Sequence, residues 1–225
     1  MNLEHVRRVG IAAAYQGGKV LQSYVGNTFS INKKGAIDLV TEADIGSEKI
    51  IIETIREAFP DHSILAEESG LNGASDCQWI IDPLDGTTNF AHQLSLFSVS
   101  IAFSFKGNIS VGIVLNPVTG ELFTAIREKG AELNGRPIRV SESATVSESL
   151  LVTGFPYNLK DIFVPLLNRF SKCLKAARGV RRLGSAALDL CFVACGRFDG
   201  FWEQNLNPWD TAAGMLIAKE AGASV

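Results

Sequence analysis

The chain is poor in the residues that build zinc and thiol-based sites. It has four cysteines and three histidines in 225 residues. Cys191 and Cys195 are four residues apart on an expected helix, but no histidine or further cysteine stands near them to complete a zinc set. We therefore expect buried, reduced thiols, and we find no Cys or His placed as a nucleophile.

The sequence also lacks a strong charge bias and a long apolar run. Its 21 basic and 24 acidic residues give a net charge of −3, which provides no electrostatic footprint for nucleic acid or an anionic membrane. No stretch approaches the roughly 20 apolar residues of a membrane-spanning helix. Residues 1–24 carry Glu4, Arg7, Arg8 and Lys19, so they do not form a secretory signal. We expect a cytoplasmic protein with no direct nucleic-acid or membrane partner.

Hydrophobic residues make up 46% of the chain and charged residues 20%, which is typical of a globular protein. Apolar spacing predicts helices over 3–24 and 45–58, the second with Asp44 as a plausible N-cap. Alternation over 96–126 predicts an antiparallel meander, and Asn134-Gly135 predicts a hairpin. Strands and helices alternate after residue 150.

We therefore expect an α+β to α/β fold in which two sheets are layered with helices. The expected division is 1–145, an N-terminal α+β half with an antiparallel sheet, and 146–225, a C-terminal α/β half. Both halves would belong to one unit.

The most informative segment is Trp-Ile-Ile-Asp-Pro-Leu-Asp-Gly-Thr-Thr-Asn-Phe, residues 79–90. An apolar strand ends in Asp82 and Asp85, and residues that offer hydroxyl and backbone N–H groups follow. Strict strand alternation would point the two carboxylates apart. Because Pro83 has no N–H to donate, we expect the chain to leave regular pairing there and to bring both carboxylates around a cation. Taken alone, a polar turn that caps a helix would also explain the segment.

Three further acidic positions support a metal site. Glu67-Glu68 follows the apolar run 63–66, Asp210 begins an expected helix, and Asp44 begins another. Each alone is typical of an acidic turn or a helix cap. Together they form an oxygen-only ligand set, which favours a hard cation such as Mg²⁺ or Mn²⁺.

The sequence resembles the inositol monophosphatase family, which belongs to a larger lithium-sensitive, magnesium-dependent superfamily that includes fructose-1,6-bisphosphatases. Three segments carry the resemblance: 38–44 with Glu67-Glu68-Ser69, then 79–90, then 207–214. The stretch 182–190 is similar to the bacterial inositol-1-monophosphatase group. The resemblance implies a layered αβαβα sandwich. It also implies a further strand and helix after Gly222, which this sequence does not contain.

The resemblance implies the following site roles. One magnesium would be held by Glu67, Asp82 and the Leu84 carbonyl, a second by Asp82, Asp85 and Asp210, and a third, weaker ion by Glu67. Gly86 and Thr87 would bind phosphate, with Glu67 and Thr87 orienting the attacking water and Asp44 restraining Thr87. Lys33 would lie near the metal site, and Gly184, Ser185 and Glu203 would contact the substrate.

The implied reaction is magnesium-dependent hydrolysis of inositol monophosphate by direct attack of an activated water. Fructose-1,6-bisphosphate, an amino-alcohol phosphate or a 3′-phosphonucleotide are alternative substrates. A regulatory protein that binds a transcription-associated partner is an alternative of a different class. We also expect a homodimer, if the short C-terminal end permits one.

Overall fold

Two sheets with helices on their faces form the frame of the molecule. The computed structural model describes residues 1–26, 31–34, 38–156, 158–160 and 162–225, and the side chains of 31–34 and 38–41 lie outside this description. The helices are α1 (Leu3–Tyr24), α2 (Glu42–Ala58), α3 (Thr87–Ala91), α4 (Phe163–Ala176), α5 (Ala186–Ala194) and α6 (Pro208–Glu220), with a 3₁₀ turn at Val146–Glu148.

The strands up to the middle of the chain are β1 (Ile31–Lys34), β2 (Asp38–Thr41), β3 (Ser63–Ala66), β4 (Gly70–Asn72), β5 (Cys77–Asp85), β6 (Ser98–Phe105) and β7 (Asn108–Asn116). They are followed by β8 (Glu121–Ile126), β9 (Ala131–Leu133), β10 (Arg136–Pro137), β11 (Leu150–Thr153), β12 (Gly179–Arg181) and β13 (Gly200–Trp202). Strands β1 and β2 form a separate antiparallel pair.

The larger sheet has eight strands in the order β10-β9-β8-β7-β6-β5-β3-β4. Its pairs are antiparallel except for β3 and β5, which run parallel, so both of these strands end at the same edge. The expected meander is therefore confirmed over β6 to β8. The Asn134-Gly135 hairpin between β9 and β10 is also confirmed, with φ values of 51° and 74°, as a two-residue turn with positive φ requires.

The two faces of this sheet carry different cores because successive strand residues point to opposite sides. Trp79, Ile81, Val99 and Ile101 pack with the buried residues of α1 and α2. Ile80 and Ala102 lie on the other face and pack with α5 and α6. The catalytic candidates at the end of β5 are thus held between two helical layers.

The smaller sheet is parallel, in the order β12-β11-β13. Val152 of β11 belongs to the same core cluster as α5 and α6, and α4 packs against β12 as an outer layer. The layers therefore run helix, sheet, helix, sheet, helix, which confirms the expected αβαβα sandwich.

Several sequence expectations change in detail. Helix α1 has the expected bounds, whereas α2 begins at Glu42, so Asp44 lies inside its first turn and is not its N-cap. The chain passes from the larger to the smaller sheet between Pro137 and Leu150. The division into two halves at residue 145 itself stays a prediction. In the described part of the chain, no helix combines the length and apolar character needed to cross a bilayer.

Candidate active site

A cavity of about 310 Å³ opens where β3 and β5 end and where α3, α5 and α6 begin. Its lining is strongly acidic and comes from separate parts of the chain. The acidic residues are Glu67, Asp82, Asp85, Glu203 and Asp210, and the basic residue among the described side chains is Arg182. The sequence-predicted acidic positions, apart from Asp44 and Glu68, therefore meet in one place.

A β-bulge in β5 places both aspartates of the central motif on one face of the sheet. Asp82 pairs with Ser100 and Asp85 pairs with Ser98, so three steps along β5 match two steps along β6. Because Ser98 and Ser100 share a face, the residues opposite them share it too. Pro83 lies inside the bulge, as its missing N–H predicts. The extra residue thus resolves the spacing that would otherwise send the carboxylates apart.

Asp85 is buried at the start of α5 and is held by donors from that helix. Its Oδ2 accepts hydrogen bonds from Ser185 Oγ at 2.5 Å and from the Ala187 N–H at 2.8 Å, and its Oδ1 accepts from the Ala186 N–H at 3.2 Å. Burial raises the pKa of Asp85 to about 6, although the Ser185 hydrogen bond opposes the rise. The hydrogen bonds fix this carboxylate at the wall of the cavity.

The environment of Asp82 disfavours a negatively charged carboxylate more strongly than that of Asp85 does. Burial raises the pKa of Asp82 well above its usual range, and neighbouring carboxylates raise it further. These neighbours are, in order of effect, Glu67, Asp85, Asp210 and Asp44. A cation at this point would relieve the repulsion.

The turn after Asp85 requires glycine. Gly86 has φ of 95°, and a Cβ there would lie 2.9 Å from the Leu96 carbonyl oxygen and 3.2 Å from that of Gly184. Thr87 then begins α3 and donates its hydroxyl to the Leu84 carbonyl oxygen at 3.1 Å. Gly86, Thr87 and Leu84 line the cavity. Their phosphate-binding and metal-binding roles stay predictions.

Asp210 enters the cavity from the first turn of α6. Its Oδ2 accepts from the Asn207 N–H at 2.6 Å in a capping box, and Pro208 occupies the first turn of the helix. Burial raises the pKa of Asp210, and the hydrogen bonds from Asn207 oppose this rise. The Asp210 carboxylate therefore caps α6, as the sequence suggested, and also lines the cavity.

The predicted substrate-contacting residues occupy different positions. Gly184 and Glu203 line the cavity, whereas Ser185 is buried and donates to Asp85. The side chain of Lys33 lies outside the described residues. Asp44 is buried in α2, within electrostatic reach of Asp82. The substrate contacts remain predictions, and Ser185 has a clear structural partner in Asp85.

Sequence reasoning missed Gly154 and Arg182. A Cβ at Gly154, beside the end of β11, would overlap the Glu203 carboxylate, so a larger residue there would displace the end of that side chain. Burial raises the pKa of Glu203 to about 7, and nearby Arg182 opposes this shift. Arg182 begins the stretch 182–190 noted in the sequence, but its residue type alone did not indicate a place in the cavity.

Asp189 was also missed, because it lies in an apolar helix sequence that shows no acidic pattern. Its side chain is buried, and neither carboxylate oxygen has a hydrogen-bond partner in the described structure. Burial, with help from Asp85 and Glu203, raises the pKa of Asp189 to about 9, against the effect of Arg182.

The acidic residues fit a hard divalent cation by their chemistry. Their donors are oxygen atoms only, and Asp82 is surrounded by like charges that an ion would neutralise. In the described part of the chain, no three His, Cys, Asp or Glu side chains form a closed, ready-made metal group.

Comparisons with known proteins identify the family of this chain. Residues 2–225 match the model of the inositol monophosphatase family. The chain is 49% identical over 221 residues to an inositol-1-monophosphatase from Synechocystis sp., covering 96% of this chain and 77% of the relative. It is 46% identical over 217 residues to the Nus factor SuhB of Escherichia coli, covering 95% of this chain and 81% of the relative.

A solved structure is similar over almost the whole chain. The crystal structure of extragenic suppressor protein suhB from Bartonella henselae superposes with a TM-score of 0.94 at 41% identity, covering 97% of this chain and 85% of that one. The family model, the sequence relatives and the solved structure thus agree, and this chain belongs to the inositol monophosphatase family.

Proposed function

We propose that the protein is a magnesium-dependent phosphomonoesterase that hydrolyses inositol monophosphate to inositol and phosphate. The supporting observation is the convergence of Glu67, Asp82, Asp85 and Asp210 on one cavity from three separate elements. Membership of the inositol monophosphatase family supports the same reaction class.

In this proposal Glu67, Asp82, Asp85, Asp210 and the Leu84 carbonyl hold two or three Mg²⁺ ions, which Mn²⁺ can replace. Bound magnesium would offset the negative charge of the phosphate and make water a stronger nucleophile. The residues of this chain supply the rest of the chemistry.

Those residues position the water and the phosphate. The carboxylate of Glu67 and the hydroxyl of Thr87 orient the attacking water, and Glu67 accepts its proton. Thr87 already has a fixed rotamer, because its hydroxyl donates to the Leu84 carbonyl, and Asp44 restrains the same region. Backbone N–H groups of Gly86 and Thr87 bind the phosphate, since the first amides of a helix have no acceptor within it.

The other side of the cavity would select the alcohol. Glu203 accepts hydrogen bonds from hydroxyl groups and repels a second phosphate, which favours a neutral polyol over a bisphosphate. Gly184 would leave room for the ring, Ser185 would hold Asp85 in place beside the substrate, and Lys33 would act near the metal site, as the family resemblance implies. Fructose-1,6-bisphosphate and small nucleotide phosphates are the alternative substrates.

Phosphate release from inositol-1-phosphate and fructose-1,6-bisphosphate, with and without Mg²⁺ and then with Li⁺, tests the proposal. We expect magnesium-dependent release that lithium inhibits, with inositol-1-phosphate preferred. Asp82→Asn and Asp210→Asn should each lower the rate by about 10²–10³-fold, as removal of one preorganised charge often does.

Asp76→Asn is the matched control, because Asp76 is exposed and lies outside the cavity. It should keep the parental rate. Undiminished phosphate release by Asp82→Asn or Asp210→Asn would disprove the assigned metal site.

A second candidate function is regulation through a transcription-associated protein partner. The observation in its favour is the 46% identity to a relative named Nus factor SuhB. Affinity purification with the parental protein and with Asp82→Asn would separate the two functions. Capture of the same transcription-associated partner by both proteins would show that binding does not need the phosphatase site.

A further inference from the structure

Helix α2 carries three buried polar side chains on one face. Asp44, Ser47 and Glu48 are 1%, 0% and 4% exposed. Their spacing of i, i+3 and i+4 places them side by side on the helix surface. A buried charge or hydroxyl is costly without partners, so the contacts of Ser47 and Glu48 indicate what this face holds in place.

Glu48 fixes the turn that contains Glu67. Its Oε2 accepts from the Glu68 N–H at 2.8 Å, and its Oε1 accepts from the Ser69 N–H at 3.0 Å. The N–H of Glu67 itself donates to the Ile81 carbonyl at 3.2 Å. Three consecutive amides around this acidic residue are therefore bonded, and the two that follow it depend on one carboxylate.

Ser47 fixes the other acidic segment. Its hydroxyl donates to the Pro83 carbonyl oxygen at 3.1 Å. Pro83 lies inside the bulge between Asp82 and Asp85, where regular strand pairing is interrupted. The Ser47 hydroxyl of α2 thus donates to a carbonyl group at the point where the hydrogen bonding between β5 and β6 is irregular.

The same turn of α2 therefore contacts both loops that bring carboxylates into the cavity. Asp82 and Glu67 repel each other, so the two loops would tend to separate in the absence of a restraint. Ser47 and Glu48 are adjacent in the chain and bond to backbone groups of both loops, which fixes the distance between them.

We propose that Ser47 and Glu48 are positioning residues that hold the Glu67 turn and the Asp82–Asp85 bulge in register, so that the carboxylates are arranged for a divalent cation before it binds. This inference rests on the proposed function. It assigns to α2 a role in metal affinity, which a helix that only covered the core would not have.

Glu48→Gln tests the proposal with almost no change in shape. The glutamine carbonyl can accept one of the two hydrogen bonds, but its NH₂ group opposes the other backbone N–H. Isothermal titration of Mg²⁺ and Mn²⁺ in the absence of substrate should show a 10–100-fold weaker affinity, the usual cost of losing a group that orients a metal ligand.

Kinetics should separate binding from chemistry. The magnesium concentration for half-maximal phosphate release should rise by the same factor, with kcat recovering toward the parental value at saturating Mg²⁺. Glu53→Gln is the matched control, since Glu53 is on the exposed face of the same helix. It should leave ion affinity unchanged.

Ser47→Ala provides a second test if Glu48→Gln does not fold, because it removes only one neutral hydrogen bond. We expect a smaller but measurable loss of ion affinity. A folded Glu48→Gln or Ser47→Ala protein with parental ion affinity would overturn the proposal, even if its melting temperature fell. Failure of the parental protein to bind Mg²⁺ or release phosphate would instead refute the proposed function.

Discussion

The carboxyl groups of Asp85 and Asp189 are both buried in the region around α5, but they have different hydrogen-bond partners. Asp85 accepts three hydrogen bonds from the start of α5 and has a pKa of about 6. Asp189 accepts none from the described residues and has a pKa of about 9. Hydrogen bonds to the charged form thus account for much of the contrast between two residues of the same type.

The raised pKa of Asp189 predicts a stability effect that depends on pH. A carboxyl group whose folded pKa lies above its unfolded pKa contributes most at low pH, and this contribution is lost as pH rises toward the folded value. Asparagine does not titrate, so Asp189→Asn should remove the loss of folding stability that the carboxyl group causes as pH rises. Without divalent ions, we expect the variant to match the parent near pH 4 and to be more stable near pH 8 by on the order of 5 kcal/mol.

Urea unfolding at both pH values measures this difference. Asp76→Asn, at an exposed position, should follow the parental stability at each pH. An Asp189→Asn protein whose stability keeps the parental pH slope would show that Asp189 is not held protonated in the folded state.

At the scale of elements, the crossing of α1 and α2 depends on a small residue. A Cβ at Gly17 would lie 2.6 Å from Cδ1 of Ile51 and 2.8 Å from Oγ of Ser47. The second atom belongs to the hydroxyl that donates to Pro83 in the bulge. Close packing of these helices therefore also positions one side of the acidic cavity.

Gly17→Ala should destabilise the protein although alanine favours helix formation. The helix gain is about 1 kcal/mol, whereas forcing a methyl group into a packed contact typically costs about 1–3 kcal/mol. Because the steric cost is the larger, we expect a lower urea midpoint and a weaker Mg²⁺ affinity.

Gly46→Ala is the control for this substitution. The nearest atom to a Cβ there is Cγ1 of Val20 at 3.3 Å, at the end of a side chain, so it should be neutral or stabilising. A Gly17→Ala protein that was as stable as Gly46→Ala would contradict the close-packing argument.

At the scale of the whole molecule, the proposed ion site would link ion binding to folding. Its carboxylates come from α6 and from the ends of strands β3 and β5, and they meet only in the folded chain. A ligand that binds the folded state alone stabilises it by mass action.

We therefore expect Mg²⁺ at about 100 times its Kd to add about 2.7 kcal/mol to the free energy of unfolding. Thermal unfolding with MgCl₂, against NaCl of equal ionic strength, measures the effect. Asp82→Asn should lose most of the magnesium-specific shift. An equal shift with both salts would mean that screening of surface charge, and not a specific site, is responsible.

The oxygen-only ligand set and the order of the three acidic segments could be predicted from the sequence, because residue type decides which ions a site can hold. The apolar spacing of α1 and the alternation of β6 also predicted those elements, because residue periodicity distinguishes a helix from a strand. The burial of both faces of β6 was not predicted, since it depends on helices from distant parts of the chain. The resemblance added the layered sandwich, and the comparisons confirm the family.

Other features depend on contacts between distant residues. The bulge that aligns Asp82 with Asp85 is defined by pairing with β6, the burial of Asp189 by the packing around α5, and the roles of Ser47 and Glu48 by backbone groups of two other segments. The sequence by itself determined which chemical groups are available and along which elements they lie. Only the tertiary structure decided which of them face one cavity, because register and helix packing depend on residues far apart in the chain.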